Sequence, residues 1–472
     1  MSSLTRTPVL ELAEALRGRD VSATELLDAC LDEVDRLNPD LNAVIWRDDE
    51  AARAAASEAD ERLAGGDDAP FLGVPMPIKD LTEMHGWPLS YGSRGRTDAP
   101  WEGPSEPCVD ALAKAGFVLA CKTNTPEFGH ITVTENLRFG PTRNPWDPGR
   151  TPGGSSGGAA SATAAGMFPA AHANDGGGSI RIPASCCGLV GLKPSRGRVP
   201  RLSQSWLGAV VEGAVTRTVA DAAAILDVLS GPDRLSWYNA PAPDRPFREE
   251  VGTDGGRVRI GLMDSAPGGM PTDPACTEAA RRTAQALEEL GHSVEPVEYP
   301  TISDELVEPF NLMVAASLGE HLDEVDWNEV EPHIAYQHGA ANHISSFEYV
   351  YGAKQLERMC RRMVEPWGRD FDVLLTPTMA ITPPPVGAVL EASHAKPDAP
   401  ADPVIAMVAF CAFVNVTGLP GISLPVHWTD DGVPVGAQLV GGPWEEATIL
   451  RLAGAVEQAL PWADREPALA QA

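Results

Sequence analysis

Apolar positions recur at helical spacing from about Pro8 to Leu63. Leu10, Ala13 and Leu16 form one stripe; Leu26, Leu27, Cys30, Leu31 and Val34 form the next. Ser22 and Glu25 make a capping box that opens the second helix, and Asn38-Pro39 is predicted to close it. A third, alanine-rich helix is expected over 50–63, ending at Gly65-Gly66. The texture then changes. The apolar run from Phe71 ends in Lys79-Asp80, and a helix over 108–116 leads into a short buried strand over 117–121. Residues 140–158 are crowded with Pro and Gly, and 159–166 reads as a helix of small residues able to pack close to its neighbours. Further strands are expected over 189–192, 258–263, 373–376, 421–425 and 434–440, with helices over 220–230, 277–290 and 445–460. Residues 383–403, rich in Pro and Ala, read as a surface loop. Strands alternating with helices argue an α/β fold. No repeat or linker-like break divides the chain. One large domain over 1–472 is therefore predicted, with N-terminal helices at about 8–65, a core at about 70–200 and a substrate-loop and C-terminal region at about 201–472.

Composition narrows the function classes. The 472 residues, 43 % hydrophobic, suffice for a large core. A net charge of −30 repels phosphate backbones, which argues against nucleic acid as a direct ligand. The eight cysteines are scattered without a C-x-x-C pair. Adjacent Cys186 and Cys187 would point to opposite sides of a strand, so the set reads as reduced core thiols of a cytoplasmic protein. The ten histidines form no H-E-x-x-H, and no zinc-ligand spacing is present. Glu11 and Glu14 sit where a signal peptide would be apolar, and no run approaches the roughly 18 apolar residues of a membrane span. A cytoplasmic location away from any membrane is expected.

Two Gly/Ser runs carry the candidate chemistry: Gly153-Gly154-Ser155-Ser156-Gly157-Gly158 and Asp175-Gly176-Gly177-Gly178-Ser179-Ile180-Arg181. Flexible linkers have such composition, but both runs are bracketed by core-like sequence. Consecutive glycines let backbone N–H groups converge on one point beside a serine hydroxyl, as an oxyanion hole requires. The serine also needs a base. Lys79 follows an apolar run, and burial depresses an amine's pKa until it accepts a proton.

Lys79 in G-V-P-M-P-I-K-D, Ser155 in G-G-S-S-G-G and Ser179 in D-G-G-G-S-I-R together resemble the amidase signature family. The serines lie 24 residues apart (179 − 155), a spacing similar to the family's. The likeness extends through 122–128, 143–146 and 191–197 to Asn415-x-Thr417-Gly418-x-Pro420 and Pro434-Val435-Gly436-x-Gln438, nearly the whole chain. It implies a single domain with a central mixed β-sheet covered by helices on both faces. It implies a triad in which Ser179 attacks, Ser155 relays the proton and Lys79 is the base. The N–H groups of Gly176, Gly177, Gly178 and Ser179 would hold the oxyanion, and Asp175 would pair with Arg181. Ser156 would hydrogen-bond Lys79, and the Gly154–Ser155 peptide would be cis. By family position Gly129 and His130 would line the substrate pocket, although His130 also fits a hydrogen-bonded structural role. No cofactor or metal is implied.

The implied activity is hydrolysis of C–N bonds in small linear, cyclic or aryl amides, with carbamates and esters as further substrates. Many family members carry a larger residue where this chain has Gly176, a departure expected to widen the acyl pocket. With Cys186-Cys187 it resembles the subgroup of 6-aminohexanoate cyclic dimer hydrolases, aryl acylamidases and urethanases. Residues 303–351 and 383–403 are the expected pocket walls, and a monomer or homodimer is the expected state. The same triad also serves the amidase subunit of tRNA-dependent amidotransferases, which release ammonia from glutamine. A nucleophile-elbow reading of Gly153-x-Ser155-x-Gly157 fails because Arg143 to Pro152 cannot form the buried strand it needs.

Overall fold

The computed structural model describes residues 4–321 and 323–471. Strands β1 (Val44–Arg47), β2 (Pro75–Lys79) and β3 (Val118–Thr123) form a small sheet of order β1-β3-β2, with β2 parallel and β1 antiparallel to β3. The larger sheet uses β4 (Ala171–Asp175), β5 (Val190–Lys193), β6 (Val211–Thr216), β7 (Arg259–Leu262), β8 (Ser293–Pro296), β9 (Val373–Pro377), β10 (Gly421–Trp428) and β11 (Pro434–Gly441). Its order is β4-β6-β5-β10-β11-β9-β7-β8, antiparallel as far as β9 and parallel from there to β8.

Alternation along the central strands sorts side chains onto two faces. Ile422 and Leu424 of β10, with Val435, Ala437 and Leu439 of β11, join a core shared with the helices Val219–Leu229, Pro274–Glu289 and Glu446–Ala459. On the intervening positions Gly436 N donates to Ser185 Oγ of the helix Arg181–Cys187 at 2.8 Å, Ser423 Oγ lies 2.8 Å from Thr378 Oγ1, and Gln438 accepts from Arg181 itself. One face therefore carries the main core and the other faces the Gly/Ser segments. The main core runs from Val9 to Trp462, so the N-terminal helices and the C-terminal region share a single hydrophobic interior.

The helix Gly157–Ala165 contains nothing larger than Thr and is buried along its whole length. A Cβ on Gly158 would lie 2.4 Å from the Asn124 amide nitrogen. Small side chains are what permit that approach.

Three expectations are corrected. The second helix runs on through Pro39 to Leu41. Proline removes one donor from the last turn only, and Asn38 Oδ1 accepts from the Ala43 and Val44 amides just beyond. Cys186 and Cys187 end a helix rather than sit in a strand, and all eight cysteines are free thiols. The segment 383–403 is not a plain loop, because Ala388–Ala395 forms a helix with Val389 wholly buried. Among the described residues no helix is long and apolar enough to cross a membrane.

The N-terminus of the helix Val9–Gly18 is capped from far along the chain. The Asp221 carboxylate accepts from the Val9 and Leu10 amides, each at 3.0 Å. Asp221→Ala leaves these donors unpaired and is expected to lower the unfolding free energy by about 1–3 kcal/mol. A urea midpoint equal to wild type would refute the anchor.

Candidate active site

Lys79 ends β2, opposite Thr123 of β3, with its side chain fully buried. Its Nζ lies 2.7 Å from Ser155 Oγ, 2.6 Å from Asn174 Oδ1 and 3.4 Å from Asn174 O. Desolvation brings the amine's pKa down to about 7; Glu212 and Asp175 pull it upward and Arg201 pushes it further down. No carboxylate hydrogen-bonds the amine among the described residues.

The first Gly/Ser run reaches Lys79 through a cis Gly154–Ser155 peptide. Thr134 braces it, donating from Oγ1 to Gly153 O at 2.9 Å and accepting from Gly157 N at 2.9 Å. Ser156 does not bond Lys79 as expected. Its hydroxyl donates to the Asn174 carbonyl at 3.1 Å, the oxygen Lys79 also approaches, and its amide donates to Ser179 O at 3.2 Å. Gly129 backs the same point at φ 75°, where a Cβ would fall 3.2 Å from Ser155 Oγ and 2.7 Å from Leu81 Cδ1.

The second run is wound around Asp175 at the end of β4. The carboxylate accepts from Gly178 N at 2.7 Å, Ile180 N at 3.1 Å and Arg181 N at 3.4 Å. The Arg181 guanidinium lies across it with two bonds of 3.0 Å. Asn415 Nδ2 donates to Asp175 O at 2.9 Å and Oδ1 at 2.8 Å. Arg181 in turn donates to Gln438 Oε1 at 2.7 Å, Asn415 Oδ1 at 2.5 Å and Cys411 O at 3.2 Å. Burial alone would raise the Asp175 carboxyl. Arg181, with Lys193 and Asn415, outweighs burial and holds it far below the usual carboxylate range.

This winding revises the expected oxyanion donors. The Gly178 amide is committed to Asp175, whereas those of Gly176, Gly177 and Ser179 have no acceptor among the described residues. Gly178 adopts φ 133°, a conformation open mainly to glycine. Gly176 does not widen the pocket. A Cβ there would lie 2.6 Å from the Trp206 ring, so the indole fills that space.

Ser155, Ser179, Gly176, Gly129 and His130 all line one narrow cavity of about 90 Å³. His130 bonds Gln337 Oε1 through Nδ1 at 2.8 Å and sits edge-on to Trp206, and burial lowers its pKa to about 4. The walls come from Leu81 to Tyr91, from Arg201 to Val210 and from Ser317 to His321. The last falls in the expected wall segment 303–351, but 383–403 contributes nothing to the lining. A larger cleft of about 780 Å³ elsewhere, near Asp254, Trp367 and Thr448, is lined by no Ser, Cys or Lys. Asn174 and Trp206 carry no motif that marks them in the sequence. Asn415 and Gln438 stand in the C-terminal pattern, which gives no hint of their role.

The amidase family model matches residues 25–450. The 6-aminohexanoate-cyclic-dimer hydrolase of Paenarthrobacter ureafaciens is 36 % identical, covering 97 % of this chain and 95 % of that protein. A solved structure of a 6-aminohexanoate cyclic dimer hydrolase with substrate superposes with a TM-score of 0.90 at 33 % identity, over 99 % of both chains. A bacterial aryl acylamidase follows with a TM-score of 0.88 at 28 % identity, over 97 % of both. The chain belongs to the amidase signature family and is an enzyme that hydrolyses amide C–N bonds. With hydrolases and an acylamidase as these relatives, the amidotransferase reading is the less supported one.

Replacing Arg181 by Met is expected to cost about 3–5 kcal/mol, because Asp175 would be left buried and uncompensated. Guanidinium unfolding of the variant measures this, and a loss below about 1 kcal/mol would show that the pair does not hold the loop.

Proposed function

We propose that Ser179 is the nucleophile, Ser155 the proton relay and Lys79 the base of an acyl-enzyme mechanism. The observation that carries this reading is the Lys79 amine, buried with three oxygen partners and no carboxylate. A neutral amine has two N–H groups and one lone pair. The two Asn174 oxygens suit the N–H groups, and the lone pair is left facing the Ser155 hydroxyl.

In this mechanism Ser179 Oγ attacks the amide carbon as its proton passes to Ser155 Oγ, while Ser155 gives its own proton to Lys79. The oxyanion is held by the amides of Gly176, Gly177 and Ser179. Collapse breaks the C–N bond, and the proton returns through Ser155 to the leaving nitrogen. Water then attacks the acyl-Ser179 ester by the same relay, releasing the carboxylate.

The substrate class is small linear, cyclic or aryl amides, as the relatives' names suggest. Aryl carbamates and esters follow, since a urethane differs by one oxygen beside the attacked carbon. A monomer or homodimer is the proposed state, with Lys79, Ser155 and Ser179 all supplied by one chain. Eight free thiols support a cytoplasmic setting.

Wild type is expected to cleave p-nitroacetanilide or a small aryl carbamate. Ser179→Ala and Lys79→Ala should each lose at least about 10⁴-fold in kcat while keeping the wild-type circular dichroism. Full activity in Ser179→Ala would overturn the assignment.

The neutral amine is the active form, so kcat/KM should rise with pH and reach half its plateau near the Lys79 pKa of about 7. A profile flat from about pH 5 to 9 would count against Lys79 as the base.

A further inference from the structure

A second group of reactive side chains lies outside the pocket lining, between the helices Pro332–Ala341 and Ala388–Ala395. Glu331 immediately precedes the first helix, His333 sits in its first turn, and His394 is near the end of the second. Glu331 Oε2 lies 3.1 Å from His394 Nε2 and 3.6 Å from His333 Nδ1. One donor atom from each residue falls within 4.8 Å of the other two. A tetrahedral ion bound at about 2.0–2.1 Å keeps its ligand atoms roughly 3.3 Å apart, a value the two short distances bracket.

The state of His333 points the same way. It is 5 % exposed, and neither ring nitrogen has a hydrogen-bond partner among the described residues. A neutral imidazole carries one N–H and one lone pair, and burying both unpaired is unfavourable. A hydrogen bond between His394 and Glu331 would account for their contact but leave His333 unanswered. An ion at Nδ1 gives the His333 lone pair a partner while engaging Glu331 and His394 as well. Glu331 is also held for the purpose, since its Oε1 accepts from Leu137 N at 2.9 Å while Oε2 faces the imidazoles. Hydrogen bonds that brace a ligating carboxylate are a regular part of metal sites.

We propose that Glu331, His333 and His394 bind one divalent transition-metal ion of the zinc type. Two imidazoles favour such an ion over magnesium or calcium. The His394 side chain is 22 % exposed, which gives an entry path and room for a water as fourth ligand. The ion fastens the two helices together. The first of them carries Gln337, which bonds His130 in the pocket wall, so the ion also steadies that wall.

The test strips the full-length protein with a chelator and titrates it with ZnCl₂ by calorimetry and thermal denaturation. Co²⁺ serves as a spectroscopic probe. One Zn²⁺ per chain, a raised Tm and the intense visible bands of tetrahedral Co²⁺ are expected. His394→Gln and Glu331→Gln should each weaken Zn²⁺ binding by about 100-fold or more. The wild-type titration does not depend on either variant folding. Absence of a Zn²⁺-dependent Tm shift in wild type, or wild-type affinity in a folded variant, overturns the assignment.

Discussion

The loop that carries Ser179 depends on one buried ion pair. Asp175 and Arg181 are both inaccessible to solvent, and such a pair is tolerated only when its remaining hydrogen-bonding capacity is filled. Here the carboxylate gathers the amides that follow it, while the guanidinium ties the loop to Cys411, Asn415 and Gln438. A turn only a few residues long thus takes its shape from positions more than two hundred residues downstream. The two-faced alternation of β10 and β11 makes this workable, because one side of the sheet builds the core and the other presents polar atoms to Arg181.

Lys79 meets the opposite requirement. It is a buried amine with no carboxylate bonded to it, and the surrounding charges oppose one another. Asp175 pulls its pKa up but is itself neutralised by Arg181, and Glu212 is opposed by Arg201. Desolvation is then left as the dominant influence. Asn174 completes the arrangement, since two neutral oxygens orient the amine without the field of a carboxylate.

Much of this was legible in the sequence where chemistry is local. The capping box at Ser22 and Glu25, the helix of small residues after Gly157 and the apolar approach to Lys79 all follow from short-range pattern. Strands β4 and β6 were not legible. Ala171-His-Ala-Asn-Asp, at the edge of the large sheet, and Val211-Glu-Gly-Ala-Val-Thr, beside it, are both wholly buried yet contain almost no large apolar residues. Their burial comes from tertiary packing, β4 being covered by β2 and the helix Gly157–Ala165, which periodicity does not encode. Trp206 was missed for a related reason: its ring occupies the space over Gly176, a contact visible only once the two segments are brought together. The redirection of the Gly178 amide likewise depends on how Asp175 is turned, not on the run of glycines.

The pocket also divides labour between parts of the chain that are separate in sequence. Its floor is made by Ser155, Gly176 and Ser179 of the Gly/Ser runs, with Lys79 buried behind them and the second run locked by the Asp175–Arg181 pair. Its sides are made by 81–91, 201–210 and 317–321, none of which contains Lys79, Ser155 or Ser179. A lineage can therefore remodel the sides, by substitution or by insertion in those segments, while the geometry around Lys79, Ser155 and Ser179 stays fixed. Divergence in what is cleaved is uncoupled from conservation of how it is cleaved, which gives a family built this way an easy route to new and unnatural substrates.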